Sequence, residues 1–123
     1  MNKTVLVVDD SATVRQQVTL CLSAAGYNVL EAVDGSDGVE QISKRQDLAM
    51  VICDVNMPRM SGLELLEAVK AAGKHVGLPI VMLTTEAQSS MIDRAKRAGA
   101  KGWILKPFTP AMLVAAVKKI AGA

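Results

Sequence analysis

Five polar side chains of this 123-residue chain end or follow apolar segments that predict buried strands. The carboxyl ends of parallel strands lie along one edge of a sheet, so we expect these side chains to converge there. Three of them are carboxylates, which repel one another at close range unless a cation lies between them or some are protonated. The other two, a hydroxyl and an ammonium group, can bind phosphate oxygens. The five residues are Asp9, Asp10, Asp54, Thr84 and Lys106.

Together these groups predict a magnesium-dependent phosphoryl site. Mg²⁺ prefers oxygen ligands, usually retains waters and binds one or two carboxylates together with phosphate oxygens. Such a site allows a carboxylate to attack phosphorus and form an acyl phosphate, while the metal and Lys106 stabilise the charge. Taken singly, the residues have ordinary explanations, because a solvated turn accounts for Asp9 and Asp10 and a helix cap accounts for Asp54. Four strand ends that each carry a suitable group favour the phosphoryl interpretation.

Strict alternation of apolar runs with amphipathic segments predicts the α/β class. Five strands and five helices in this order predict a parallel sheet covered on both faces by right-handed crossovers. The third strand is an uninterrupted apolar run that ends at Asp54. The predicted strands are 5–8, 28–32, 48–53, 79–84 and 101–105.

The limits of the helices follow from residues that cap or interrupt them. Serine and threonine at a helix start accept hydrogen bonds from backbone N–H groups, and a glutamate three residues after a serine completes a capping box. Glycine and proline mark helix ends and loops. The predicted caps are Ser36, Ser61 with Glu64, and Thr109 before Pro110; Gly26 and Gly99 end helices, and 73–77 form a loop. The predicted helices are about 14–25, 37–46, 62–72, 88–98 and 110–120.

Length and composition predict one domain over 1–123 with an aliphatic core, since half of the residues are hydrophobic and only 2% are aromatic. A net charge of +2 without a basic stripe disfavours nucleic-acid binding. No apolar run approaches the roughly 18 residues of a membrane span, and the N-terminal segment has no secretory signal. Cys21 and Cys53 have no metal or redox spacing and are expected to be reduced core thiols in a cytoplasmic protein. His75 is expected at the surface.

Four segments carry a resemblance to a known family. The chain resembles the receiver domain of two-component response regulators, of the stand-alone chemotaxis type, over essentially its whole length. The resemblance implies a flavodoxin-like (βα)5 fold with strand order 2-1-3-4-5, an order that periodicity alone does not give. The matching segments are Val-Val-Asp-Asp-Ser at 7–11, Asp-Val-Asn-Met-Pro-Arg-Met-Ser-Gly at 54–62, Met-Leu-Thr at 82–84 and Lys-Pro-Phe at 106–108.

The resemblance also implies a role for each matching residue. Asp54 would accept a phosphoryl group from a phosphohistidine of a sensor histidine kinase. Thr84 and Lys106 would bind oxygens of that group, and the bond from Lys106 to Pro107 would be cis. The protein would catalyse only its own phosphorylation and dephosphorylation. The implied Mg²⁺ ligands are Asp10 directly, Asp9 through water, Asp54, and the backbone carbonyl of Asn56.

Signalling would follow from a change at the surface formed by the fourth helix, the fifth strand and the last helix. Trp103 lies at the position where the family has an aromatic side chain that moves on activation. Asn56 and Glu86 resemble the pair found in regulators whose phosphorylation decays within seconds to minutes. The implied partners are the kinase and a downstream protein target or phosphatase, with no nucleic acid and no membrane. The resemblance leaves open a monomer or an activation-dependent dimer.

Other functional classes fit the residues less well. A phosphatase of the haloacid dehalogenase type would need an Asp-x-Asp motif at the first strand and a cap domain. A flavodoxin would need a phosphate-binding loop where this chain has two acidic residues. A degenerate receiver would be expected to lose Asp54, Lys106 or the acidic pair. Within the receiver class, the alternative to a chemotaxis-like switch is a phosphorelay shuttle or a phosphate sink without its own effector.

Overall fold

In the computed structural model, residues 3–73, 77–85 and 89–122 are described, and they form five strands alternating with five helices. Within these ranges no helix is both long and apolar enough to cross a membrane. Strand and helix limits agree with the predicted ones to within a few residues. The elements are β1 (Thr4–Val8), α1 (Ala12–Ala24), β2 (Asn28–Ala32), α2 (Gly35–Lys44), β3 (Leu48–Asp54), α3 (Gly62–Ala72), β4 (Ile80–Thr84), α4 (Ser89–Arg97), β5 (Gly102–Leu105) and α5 (Pro110–Ala121).

The five strands form one parallel sheet in the order β2-β1-β3-β4-β5, which confirms the order that the resemblance implied. All residues of β1 and β4 are buried, whereas the edge strands β2 and β5 are only partly buried. This gradient explains why the inner strands have continuous apolar sequences, because helices cover both of their faces.

Alternate strand residues contribute to two apolar layers, one on each face of the sheet. Leu6 and Val8 belong to the layer that contains the apolar residues of α3, whereas Val5 and Val7 belong to the layer that contains those of α1 and α5. Both layers are built almost entirely from aliphatic side chains, as the composition predicted. The helices thereby fix the strands, and the strands fix the positions of the loops at the carboxyl edge of the sheet.

Most of the predicted caps are confirmed. Ser61 and Glu64 form the capping box of α3, in which each side chain accepts a hydrogen bond from the other residue's backbone N–H. Thr109 accepts from the backbone N–H of Met112 at the start of α5, directly before Pro110. These contacts satisfy N–H groups that have no partner within the helix.

The predicted cap of the second helix was wrong. Asp34, not Ser36, is the N-cap of α2, and its carboxylate accepts from the backbone N–H of Asp37 at 2.8 Å. The helix therefore begins with Gly35, a residue of low helix propensity that gave no helical signal in the sequence. A Cβ at Gly35 would lie 2.9 Å from Met60, so glycine allows this helix start to approach the loop after β3.

Four features predicted from the sequence fall wholly or partly on residues outside the described ranges. The interior of the loop at 73–77 is one of them, and the start of the fourth helix at 88 is another. The predicted surface position of His75 and the predicted role of Glu86 also lie outside the described part of the chain.

Candidate functional site

Neighbouring strands bring the acidic residues to one edge of the sheet. In β1 and β3, Val8 lies beside Cys53, and in β3 and β4, Asp54 lies beside Leu83. Asp9 follows β1 directly, and Asp54 is the last residue of β3. The parallel register therefore places the two carboxylates side by side, as the alternation of elements predicted.

Three carboxylates form a cluster at this edge. Asp9, Asp10 and Asp54 each offer one oxygen, and these oxygens all lie within 4.8 Å of one another. Asp9 and Asp54 are buried, whereas Asp10 is exposed to solvent. Because Mg²⁺ binds carboxylate oxygens while retaining waters on its open side, one exposed and two buried oxygen donors fit this ion. The cluster is typical of the Mg²⁺ site of receiver domains.

A lysine supplies positive charge next to the cluster. The Nζ atom of Lys106 lies 3.1 Å from Oδ2 of Asp9 and 3.4 Å from Oδ1 of Asp54. The backbone N–H of Lys106 donates to the carbonyl of Thr84 at 2.8 Å, which holds the lysine close to the end of β4. The bond from Lys106 to Pro107 is cis, as the resemblance implied.

The environment of Asp54 disfavours a negative charge. Burial raises the pKa of the Asp54 carboxyl above its ordinary value, and the neighbouring Asp9 carboxylate raises it further. The Lys106 ammonium and the backbone N–H of Asn56, which lies 3.4 Å from Oδ1 of Asp54, act in the opposite direction. A divalent cation at this site would add the positive charge that keeps Asp54 ionised and therefore nucleophilic.

The loop after Asp54 folds back tightly onto the end of β3. The backbone N–H of Gly62 donates to the carbonyl of Val55 at 3.0 Å, and the N–H of Val55 donates to Leu83 of the neighbouring strand. A Cβ at Gly62 would lie only 2.3 Å from the Asp54 carbonyl oxygen. Glycine at this position therefore permits the close contact between the start of α3 and the backbone of the candidate nucleophile.

The same loop contains a backbone conformation that the sequence did not predict. Arg59 has a φ of 69°, in the left-handed region that residues other than glycine rarely adopt. The N–H of Met60 donates to the carbonyl of Pro58 at 2.8 Å and closes a tight turn around Arg59. Met60 in turn lies against Gly35 of α2, so tertiary contacts hold this turn in place.

The hydroxyl and the aromatic side chain predicted to take part in switching lie on adjacent strands. Thr84 is buried at the end of β4, where it pairs with Leu105 of β5. Two residues earlier in each strand, Met82 of β4 pairs with Trp103 of β5. Because strand residues two apart share a face, Thr84 and Trp103 lie on the same face of the sheet. Trp103 packs against the apolar layer on that face, and its indole Nε1 is buried without a hydrogen-bond partner in the part of the chain that the structure describes.

One contact to the site was missed in the sequence. Arg15 of α1 donates through Nη1 to the backbone carbonyl of Asp9 at 2.7 Å and through Nε to Glu31 of β2 at 3.2 Å. No motif marks this arginine, because its partner in the site is a backbone oxygen. Only its position, one turn after the N-cap Ser11 and on the side of α1 that meets β2, indicates that it lies near the site.

The fold and the acidic site define a class of protein. Residues 5–118 match the response regulator receiver domain family, so the chain belongs to this family. It is therefore a signalling domain and not a conventional enzyme, and membership implies a histidine kinase as the phosphodonor.

Particular relatives are chemotaxis proteins. The chain is 40% identical to the chemotaxis protein CheY homolog of Campylobacter jejuni over 95% of this chain and 91% of the relative. It is also 40% identical to the chemotaxis protein CheY1 of Helicobacter pylori strain J99, over 95% of each chain. The crystallised chemotaxis protein CheY4 of Vibrio cholerae is similar in structure, with a TM-score of 0.92, 38% identity and coverage of 98% of this chain and 99% of that one.

Proposed function

We propose that this chain is a chemotaxis-type response regulator that accepts a phosphoryl group on Asp54 from a kinase phosphohistidine, with Mg²⁺, in the cytoplasm. The observation that carries the proposal is the meeting of three carboxylates with the Lys106 ammonium at the carboxyl edge of the sheet. The named relatives support the chemotaxis assignment, because they are chemotaxis proteins of nearly the same length as this chain.

The proposed step is a transfer between two nucleophiles. One carboxylate oxygen of Asp54 attacks phosphorus, the phosphorus–nitrogen bond to the donor imidazole breaks, and the imidazole leaves and takes up a proton. Mg²⁺, held by Asp9, Asp10, Asp54 and the carbonyl of Asn56, would supply charge neutralisation for the phosphoryl oxygens. Lys106 is close enough to Asp54 to pair with one oxygen of the acquired group, and the Thr84 hydroxyl is proposed to bind another. Attack of water on the acyl phosphate would return Asp54 to its resting form.

The output surface in this proposal is formed by α4, β5 and α5. Leu105 of β5 is 47% exposed and Met112 of α5 is 56% exposed, so apolar side chains are available there for a protein partner. Exposed apolar groups at such a surface favour a downstream protein target over a phosphate sink, which binds its kinase but needs no second surface for an effector. Trp103 belongs to β5, is partly buried and is proposed to report the phosphorylated state.

Phosphorylation with a small donor tests the proposal. Phosphoramidate contains a phosphorus–nitrogen bond, as phosphohistidine does, and we expect it to phosphorylate the protein in the presence of Mg²⁺. A phosphate-affinity gel would separate the two forms, and mass spectrometry would place the group on Asp54. Asp54→Asn is the matched variant, since it keeps the size of the side chain and removes the nucleophile. Labelling of Asp54→Asn to the same extent, or labelling that is unchanged when Mg²⁺ is chelated, would contradict the proposal.

A further inference from the structure

We propose that Arg15 is a positioning residue for the Mg²⁺ site, because it fixes the peptide that joins Asp9 to Asp10. This inference rests on the proposed function. The side chain of Arg15 is only 14% exposed, although it carries a charge and lies near the surface of α1. Its Nη1 atom donates to the Asp9 carbonyl at 2.7 Å, which is a short, charge-assisted hydrogen bond.

The guanidinium group is itself held in place from a second element. Nε of Arg15 lies 3.2 Å from Oε1 of Glu31, and the other oxygen of Glu31 accepts from the Thr19 hydroxyl at 3.1 Å. Glu31 belongs to β2, where it pairs with Val7 of β1. Arg15 therefore connects β2 and the first helix to the loop that carries the acidic pair.

Asp9 is fixed at every polar atom. Its N–H donates to the carbonyl of Ala32 at 3.2 Å, its Oδ1 accepts from the backbone N–H of Ser11 at 2.9 Å, and its Oδ2 accepts from Lys106. The carbonyl oxygen is the remaining group, and Arg15 binds it. Since this carbonyl belongs to the peptide plane between Asp9 and the next residue, Arg15 sets the orientation of that plane.

The exposed carboxylate depends most on this orientation. Among the described residues, no hydrogen bond or ion pair holds the side chain of Asp10, yet its oxygen lies within 4.8 Å of the other two carboxylates. The backbone on either side therefore sets the direction in which this side chain leaves the main chain, and with it the rotamers that can reach the metal. Loss of the Arg15 contact would remove the hydrogen bond to the carbonyl of this peptide, widen the range of orientations that the peptide adopts and reduce the time that Asp10 spends in a metal-binding position.

The direction in which Mg²⁺ affinity changes when Arg15 is replaced distinguishes a positioning role from an effect of its charge. A guanidinium group near the site repels a divalent cation, so removal of its charge alone would tighten Mg²⁺ binding. Loss of positioning would weaken binding, and residues that orient metal ligands typically contribute about 10-fold to 100-fold in affinity. The two explanations thus predict opposite changes in the same measurement.

Titration with Mg²⁺, followed through the backbone amide resonances of residues 9–11, measures this change directly. We expect Arg15→Gln to weaken the affinity about tenfold. Arg15→Lys keeps the charge and one donor group and should recover part of the affinity. The matched control is Arg45→Gln, because Arg45 forms a comparable pair with Asp47 before the start of β3, at the opposite edge of the sheet.

Each result decides between the explanations. Affinity that is unchanged or tighter in Arg15→Gln, with the fold intact by circular dichroism, would overturn the inference. If Arg15→Gln does not fold, Arg15→Lys decides, because it keeps the positive charge and changes only the geometry of the donor, and affinity equal to that of the unaltered protein would overturn the inference in the same way. Absence of Mg²⁺ binding in the unaltered protein would overturn the proposed function together with this inference. Mg²⁺ binding and Asp54 phosphorylation in the unaltered protein, with no loss in the variants, would overturn the inference alone.

Discussion

Replacement of Gly62 by alanine should destabilise the protein through a single methyl group. The new Cβ would lie 2.3 Å from the Asp54 carbonyl oxygen and 2.9 Å from its carbon, whereas ordinary contacts begin at 3.4 Å. Both neighbours are backbone atoms of β3, so no side chain can rotate away and α3 must move by about 1 Å relative to the strand. Overpacking of this kind costs typically 1–3 kcal/mol. The higher helix propensity of alanine, about 1 kcal/mol, offsets part of that cost.

Urea denaturation and phosphorylation by phosphoramidate measure the two consequences of Gly62→Ala. Because a 2.3 Å approach to rigid backbone lies at the upper end of that range, about 3 kcal/mol, we expect a net loss of about 2 kcal/mol in the free energy of unfolding. We also expect phosphorylation to slow by about tenfold or more, because a displacement near 1 Å at a reacting group is costly. Gly77→Ala is the matched control, since a Cβ at Gly77 meets no atom within 4 Å. Equal urea midpoints for the unaltered protein and Gly62→Ala would refute the steric argument, whatever the phosphorylation rate.

Three further predictions concern the capping box, the core and the aromatic side chain. Ser61→Ala removes the cap of α3 and should lower the free energy of unfolding, measured in urea, by about 1 kcal/mol. If the double variant Ser61→Ala with Glu64→Ala loses the same amount, the two residues act as one unit. Leu66→Ala leaves a cavity at a fully buried position and should cost about 2–5 kcal/mol, so a calorimetric melting temperature equal to that of the unaltered protein would contradict the described packing. Activation with Mg²⁺ and beryllofluoride should change the fluorescence of Trp103, and an unchanged spectrum and unchanged quenching by iodide would exclude its role as a reporter.

Much of the site could be predicted because its residues are tied to the ends of strands. Asp54 and Thr84 each end an apolar strand, and a parallel sheet gathers such ends at one edge. The prediction of convergence therefore needed only the alternation of strands and helices. The strand order needed the resemblance, since each strand's apolar pattern is compatible with several neighbours.

Features that depend on contacts between distant backbone groups could not be predicted. Asp34 and Ser36 are both favourable N-cap residues, and the start of α2 at Gly35 goes with a close contact to Met60 that no local pattern encodes. The left-handed conformation of Arg59 is also imposed by its surroundings, since local preference alone disfavours it. Arg15 acts on a carbonyl oxygen, which every residue possesses, so sequence spacing cannot identify it as a partner.

The ammonium group between Asp9 and Asp54 has a consequence for how the protein behaves when chelators are present. Small domains built around a structural zinc ion lose their fold when the ion is withdrawn, because binding of the ion supplies their folding free energy. Here two apolar layers stabilise the fold, and a covalently attached cation, Lys106, offsets part of the repulsion between the carboxylates. We therefore expect the chain to remain folded in EDTA. The protein can then lose and rebind Mg²⁺ repeatedly without unfolding.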